Sequence, residues 1–281
     1  MNNPYRIQTC CKINLGLNIV ERRPDGYHNL QTIFYPVPLY DELTLRVGRD
    51  EDRLTLGGHP LDGEVQDNLV LRAVRLLRQE GFPVPPLDID LRKVIPSGAG
   101  LGGGSSDAAC MVKTLLKGKW AMGKEQAVPV SDEVMERLVS KLGADCPFFI
   151  KSRPVYAEGI GDVFMSISLS LNGLYLMLVK PEVHVSTREA YAGVRPHQPA
   201  FSLLETAKLP VEEWAERMVN DFEESIFPSY PVLAEIKQEL YNQGAVYASM
   251  SGSGSTIFGL FRSRPECEEI FAEHFCRVLS L

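Results

Sequence analysis

The densest chemistry in the chain lies in Pro96-Ser-Gly-Ala-Gly-Leu-Gly-Gly-Gly-Ser-Ser-Asp107, where Gly98, Gly100, Gly102, Gly103 and Gly104 put five glycines into seven positions. Residues without a Cβ let backbone N–H groups turn inward and approach an anion closely. Ser105 and Ser106 follow at an expected helix start, where unpaired donors and the helix dipole favour negative charge. The run therefore reads as a phosphate cradle, with Pro96, Ala99 and Leu101 completing its backbone and a triphosphate as its natural guest. A plain linker of this composition would not be framed by a strand and a small-residue helix. Gly98-x-Gly100-x-x-Gly103 formally satisfies a dinucleotide turn. Pro96, the extra Gly102 and Gly104, and the lack of an acidic strand end about twenty residues later count against that reading. The chain has no G-x-x-x-x-G-K-[ST], H-R-D or D-F-G, which excludes Walker-type and protein-kinase phosphate sites.

Other residues carry chemistry at a distance from this loop. Lys12 and Asn14 are two apart in an extended segment and so share a strand face. Asp145 stands before Cys146-Pro147, and by itself it reads as a turn initiator, just as Lys12 by itself reads as a solvated strand residue. Met250-Ser-Gly-Ser-Gly-Ser-Thr-Ile257 sets Gly252 and Ser253 in a tight turn between strands, with N–H groups suited to a second phosphate group; the bland reading is a hairpin. Tyr27 and His28 follow an Arg23-Pro-Asp-Gly26 turn. Asn68, after Gln66 and Asp67, is a helix N-cap by type.

The elements that must position these residues follow from periodicity. Tyr5 to Val20 reads as a strand, and Thr32 to Val47 as another, which Pro36 and Pro38 place at an edge or bulge. Asn68 to Gln79 carries an apolar helical face from Leu69, Val70, Ala73, Val74, Leu76 and Leu77, with Gly81 as its stop. Leu87 to Ile95 alternates as a half-buried strand leading into the glycine loop, and Ser105 to Leu116 reads as a buried helix. Ser131 to Leu142 is a further helix and Leu174 to Val179 a buried strand. Ser186-Thr-Arg-Glu189 forms a capping box. Helices are expected at Val211 to Val219 and Pro231 to Asn242, strands at Val246 to Met250 and Thr256 to Phe261, and a last helix from Pro265. A boundary near residue 160 divides the chain into an N-terminal ATP-binding and catalytic domain, 1–160, and a C-terminal domain, 161–281.

Bulk properties narrow the class. The 281 residues suffice for two lobes, and 44% hydrophobic with 23% charged residues is the composition of a folded globular chain. A net charge of -7 argues against nucleic acid as the main ligand. No stretch is long enough for a membrane span and Met1 to Arg6 carries no signal-peptide core, so the expected setting is the cytoplasm. The six cysteines form no C-x-x-C pair, and no His/Cys cluster suggests a protein-held metal.

Three segments in order along nearly the whole chain resemble the galactokinase, homoserine kinase, mevalonate kinase and phosphomevalonate kinase superfamily: Lys12-Ile-Asn-Leu-Gly-Leu17, the Pro96–Ser106 loop and Ser251-Gly-Ser-Gly254. Within it, Arg23-Pro-Asp-Gly-Tyr-His28 and Gly143-Ala-Asp-Cys-Pro-Phe148 are similar to the branch that phosphorylates a cytidine-diphosphate-linked methylerythritol on its 2-hydroxyl, in the non-mevalonate isoprenoid route. The resemblance implies a two-lobed α+β fold with the active site in the interlobe cleft. ATP is the implied donor, with Mg2+ carried in on its phosphates and Ser106 or Asp107 nearest to it. Lys12 and Asp145 occupy the positions of the catalytic pair: a carboxylate to take the hydroxyl proton, and an ammonium to hold it ionised and offset developing charge. Asn14 is implied to meet the hydroxyl or Asp145, and Asn68 the adenine. Tyr27, His28 and, by alignment on the Ser186-Thr187 segment, Tyr191 are implied at the cytidine end, by stacking and base-edge hydrogen bonds, and Thr187 is implied to bind the substrate. Small molecules are the only partners expected, with monomer and homodimer both left open. A sugar or mevalonate-type kinase and a non-catalytic nucleotide-binding protein are the remaining readings.

Overall fold

The computed structural model describes residues 4–61, 63–117 and 130–281. In chain order the elements are β1 (Tyr5–Arg22), β2 (His28–Val47), β3 (Arg53–Gly58), α1 (Leu69–Gln79), β4 (Leu87–Lys93), α2 (Gly103–Lys117), α3 (Asp132–Ser140), α4 (Phe148–Lys151), β5 (Val155–Glu158) and β6 (Val163–Ser166). They continue with β7 (Tyr175–Lys180), α5 (Thr187–Gly193), α6 (Leu203–Thr206), α7 (Phe222–Ile226), α8 (Pro231–Asn242), β8 (Tyr247–Met250), β9 (Ile257–Phe261) and β10 (Phe275–Ser280). The chain forms two compact units, discontinuous in sequence: residues 1–11, 39–97 and 102–153 make the first, and 12–38, 98–101 and 154–281 the second. It passes between them inside β1, inside β2, at both ends of residues 98–101 in the glycine run, and between Arg153 and Pro154.

In the first unit β4 pairs antiparallel with the C-terminal half of β2 (Glu42↔Arg92 to Val47↔Leu87) and parallel with β3. The alternation of Leu87, Ile89 and Leu91 buries one face of β4 as expected, and Lys93 is the next residue in that inward series. Helix α1 buries Val70, Leu71, Ala73, Val74, Leu76 and Leu77; Leu71 stands where Leu69 was expected. It packs on α2, which buries Ala108, Ala109, Met111, Val112 and Leu115. Ser131 caps α3 by accepting from the Val134 N–H. Of the edge or bulge expected for β2, the edge is overturned: the strand pairs with β5 at Thr32–Phe34, with β4 at Glu42–Val47 and also with β1, and Pro36 and Pro38 fall between the β5 and β4 ladders.

The second unit holds the four-stranded antiparallel sheet β10-β7-β9-β8. Met177, Val179, Ile257 and Phe261 of that sheet pack with Phe222, Ile226, Leu233, Ile236 and Leu240 of α7 and α8 in one apolar core. Two expected helices are replaced here. From 211 to 219 only the turn Val211–Glu213 is helical, of 3-10 type, because the end of the segment is captured by β1: Leu17 donates to the Val219 carbonyl and accepts from the Asp221 N–H. After Pro265 a short 3-10 turn, Glu268–Phe271, leads into β10, which pairs with β7 from Phe275↔Lys180 to Ser280↔Tyr175. Ser186 caps α5 as expected, whereas the Glu189 carboxylate accepts from the Tyr230 hydroxyl.

Candidate active site

Lys12 lies in the second unit and is 3% exposed. Its neighbours on β1 are apolar, so an ammonium there needs polar company, and it donates to Asn14 Oδ1 at 2.6 Å and to the Gly100 carbonyl at 2.9 Å. The aromatic face of Phe34 sits 5.1 Å from the same nitrogen, a cation–π contact. Asn14 has further partners: Nδ2 donates to Thr32 Oγ1 at 3.0 Å, and its backbone N–H donates to Ser251 Oγ at 3.2 Å. The i, i+2 spacing expected to share a face does so, and Asn14's first task is to hold Lys12.

The two glycine segments meet at this point. Residues 98–101 run against the turn after β8: Ser251 Oγ donates to the Gly100 carbonyl at 2.9 Å, and Thr256 N–H donates to the Ala99 carbonyl at 3.3 Å. Gly100 has φ +72, and a Cβ there would fall on the Ser251 carbonyl, so both its conformation and its surroundings require glycine. Gly252 lies beside the ammonium, with its Cβ position 3.3 Å from Asn14 Oδ1 and 3.5 Å from Lys12 Nζ. The ammonium, the glycine loop and the second turn thus form one hydrogen-bonded assembly. Within it the Ser251-to-Thr256 turn is closed by Ser251 N–H on Thr256 O and Gly254 N–H on Ser251 O.

The remainder of the loop belongs to the first unit. Gly103 and Gly104 open α2, with Gly104 exposed, Ser105 half-buried and Ser106 fully buried. Beneath it lies a charge cluster centred on Lys93. Lys93 reaches both Asp41 and Asp107 Oδ2, the latter at 2.8 Å, and Thr9 donates to Asp107 Oδ1 at 2.6 Å. Asp41 Oδ1 also accepts from the N–H groups of Val94, at 2.5 Å, and Ile95, at 2.8 Å. Burial works to lower the Lys93 pKa, yet the facing Asp107 and Asp41 charges outweigh it and hold it up. Burial, aided by the Asp41 charge, pushes the Asp107 carboxyl up to about 6 against the pull of Lys93. Both Asp107 oxygens are occupied and the side chain is buried, so the expectation that it touches Mg2+ is withdrawn. The signal that could have found the cluster is a lysine on the inward phase of β4.

Asp145 sits half-buried in the first unit, in the turn that enters α4. Cys146 anchors that turn: it is fully buried, and its N–H donates to the Gly143 carbonyl at 3.2 Å. Burial, with the Asp145 charge adding to it, pushes the Cys146 thiol up to about 11, so this cysteine packs and does not react. Asn68 accepts from the Val70 N–H at 2.9 Å as the N-cap of α1.

Also in the second unit, the His28 and Tyr191 rings stack with centroids 4.9 Å apart and planes at 22°. Phe222 meets Tyr191 edge-on at 4.9 Å. Tyr27 beside them is 61% exposed. Burial, followed by the Arg22 charge, lowers the His28 pKa, leaving a neutral ring with one donor and one acceptor near neutral pH. Thr187 Oγ1 and Ser253 Oγ lie 3.5 Å apart, linking the start of α5 to the second glycine turn.

Residues 68–153 match the model of the GHMP kinases N terminal domain, and residues 203–279 that of the GHMP kinases C terminal. A 4-diphosphocytidyl-2-C-methyl-D-erythritol kinase of Bacteroides fragilis is 53% identical over 269 residues, 94% of this chain and 95% of its own. One from Parabacteroides distasonis is 50% identical over 266 residues, covering 94% of this chain and 95% of its own. A crystal structure of 4-(cytidine 5'-diphospho)-2C-methyl-D-erythritol kinase superposes with a TM-score of 0.79 at 30% identity, over 98% of each chain. With both domains matched in order on an α+β fold, and with half the residues shared with such relatives, this chain belongs to the GHMP kinases, in the 4-diphosphocytidyl-2-C-methyl-D-erythritol kinase family.

Proposed function

We propose that this chain transfers the γ-phosphoryl group of ATP to the 2-hydroxyl of 4-(cytidine 5'-diphospho)-2-C-methyl-D-erythritol, giving the 2-phosphate and ADP in the non-mevalonate route to isoprenoid precursors. The observation that carries this reading is the buried Lys12 ammonium, held by Asn14 against the Gly100 carbonyl of the phosphate-binding loop. In the proposed reaction the Asp145 carboxylate takes the proton of the 2-hydroxyl as its oxygen attacks the γ-phosphorus. The bond from that phosphorus to the bridging oxygen breaks, and ADP leaves. Lys12 offsets negative charge on the transferring group and orients the hydroxyl. Residues 96–106 cradle the triphosphate, and Mg2+ enters on it, supplying charge neutralisation from the phosphate side; among the described residues no cluster of three acidic, His or Cys side chains forms a separate metal site. Asn68 completes the adenine end.

The cytidine is assigned to the aromatic group Tyr27, His28 and Tyr191, with neutral His28 reading the base edge, while Gly252, Ser253 and Thr187 meet the diphosphate. Six free thiols fit a reducing cytoplasmic setting, and among the described residues no helix is long and apolar enough to cross a membrane. The test is a coupled ADP-release assay offering the cytidylated methylerythritol, its uridine analogue, mevalonate, homoserine and galactose in turn. Turnover restricted to the cytidylated alcohol is the expected result, and equal turnover of a substrate lacking cytidine refutes the assignment. Asp145→Asn and Lys12→Ala are expected to lose at least about a thousandfold in kcat, with ATP binding by calorimetry retained.

A further inference from the structure

Resting on the placement of Lys12 in phosphoryl transfer, we infer that Asn220 is a positioning residue for the reaction, setting the glycine turn against which Lys12 and the Gly100 carbonyl are registered. Asn220 is 3% exposed and precedes α7. Its Nδ2 donates to the Met250 carbonyl at 2.7 Å and to the Gly252 carbonyl at 2.8 Å. Those two carbonyls flank Ser251, whose Oγ accepts from the Asn14 N–H and donates to the Gly100 carbonyl that also receives Lys12. One amide group therefore holds the carbonyls of both residues that neighbour Ser251, the residue that joins both glycine segments to Lys12.

Asn220 is itself held rigidly. Its backbone bridges to Leu17 of β1, through Leu17 N–H on the Val219 carbonyl and Asp221 N–H on the Leu17 carbonyl. Asp221 Oδ2 accepts from the Ile19 N–H at 2.6 Å. The clamp is thus referenced to the same strand that carries Lys12. The side chain divides its work by atom: Oδ1 accepts from the Phe222 N–H at 3.0 Å, a task any short acceptor performs, while the two donors to the turn are what an amide supplies and a carboxylate or hydroxyl does not. This division separates a local capping role from a positioning one.

Asn220→Asp keeps the acceptor toward Phe222 and replaces the donors with an oxygen facing two carbonyls. Buried and opposite carbonyl dipoles, that carboxyl has a raised pKa. It is ionised and repelled at high pH, and protonated with one O–H to donate at low pH. The expected result is a kcat at least about tenfold below wild type near pH 8, recovering toward wild type as pH falls to about 6, with the KM for ATP within about twofold. Wild type is expected to show no such recovery. Hydrogen exchange by mass spectrometry should show faster exchange of amides 250–256 in the variant and unchanged exchange in the core strand β7. Asn220→Ser keeps a capping oxygen and adds no charge; it covers the case of a poorly folding carboxylate variant and should show the same loss without pH recovery. A kcat within twofold of wild type near pH 8 in either folded variant, or unchanged exchange at 250–256, overturns the inference. If wild type itself turns over no alcohol, the kinase reading fails, and the exchange comparison still decides whether Asn220 holds the turn.

Discussion

Replacing Lys93 by methionine removes one ammonium from among two carboxylates that protein surrounds almost completely. The Lys93, Asp41 and Asp107 side chains are 2%, 0% and 2% exposed. Methionine matches the stem of lysine in length, so packing changes little and the cost is electrostatic. Breaking a buried ion pair by deleting one partner costs about 3–5 kcal/mol, because the remaining charge stays desolvated without compensation. Here two such charges remain and face one another. For a chain of this size each kcal/mol corresponds to a few degrees in Tm, so a drop on the order of 10 °C is expected near pH 8. The pH dependence identifies the cause. Asp107 already stands raised to about 6 in the intact cluster, and loss of Lys93 removes the group that pulls it down. Its folded pKa then lies further above the unfolded value. The stability it supports is present below the unfolded pKa and is lost as pH rises through the folded one. The Tm deficit of Lys93→Met should accordingly shrink as pH falls from about 8 to about 5. Adding Asp107→Asn should restore part of the loss near pH 8, by removing one of the two orphaned charges, and this coupling is measurable in a double-mutant cycle. Thermal unfolding followed by circular dichroism across that pH range is the assay. A Lys93→Met protein within about 2 °C of wild type near pH 8, or a deficit that does not change with pH, would refute the reasoning.

The remaining predictions concern the site and its supports. Gly100→Ala forces an L-residue into φ +72, at about 1–2 kcal/mol, and drives its Cβ onto the Ser251 carbonyl, so kcat should fall at least about tenfold. Gly244→Ala has comparable strain at φ +93 and no atom within 4 Å of the new Cβ; it serves as the control, with a small Tm loss and unchanged kcat. Tyr27→Ala should raise the KM for the cytidylated substrate by about tenfold at unchanged KM for ATP, since a stacked base is worth about 1–3 kcal/mol; an unaltered KM removes Tyr27 from the base site. Burial pushes the Asp52 carboxyl up, but two bonds from Arg78 and one from the Leu87 N–H outweigh that and hold its pKa below the ordinary carboxylate value. Its contribution is present above the unfolded pKa and lost as pH falls through the lower folded one, so Asp52→Asn should lower Tm at neutral pH and flatten the acid limb of the stability profile.

What the sequence made legible and what it hid divide along a physical line. Glycine density, the Lys12/Asn14 spacing and the amphipathic faces of α1 and α8 are local patterns, in which each residue's type depends on neighbours a few positions away, and these were readable. The segment from 211 to 219 has helical periodicity. Even so, β1 takes the backbone donors and acceptors around Asn220 for its own bridge, a competition decided by a strand two hundred positions away in sequence. Likewise Phe275–Ser280 is too short and too mixed in burial to announce itself; what makes it a strand is the open edge of β7. The same distinction holds within the site. Lys12 could be picked out as a candidate by its motif, but its partners could not, because Gly100 and Ser251 lie 88 and 237 positions from the residues they bond, Lys12 and Asn14. The roles of Asn220 and Lys93 likewise depend on partners distant in sequence. A lone asparagine before a short helix looks ordinary until the fold brings two carbonyls to it, and the inward phase of Lys93 on β4 signals burial but not the two carboxylates that receive it. Residues that touch the reacting groups carry motifs, whereas residues that hold those groups in register are specified only by three-dimensional proximity. The kinetics of Asn220→Asp and the stability of Lys93→Met therefore probe the part of this enzyme that no linear pattern encodes.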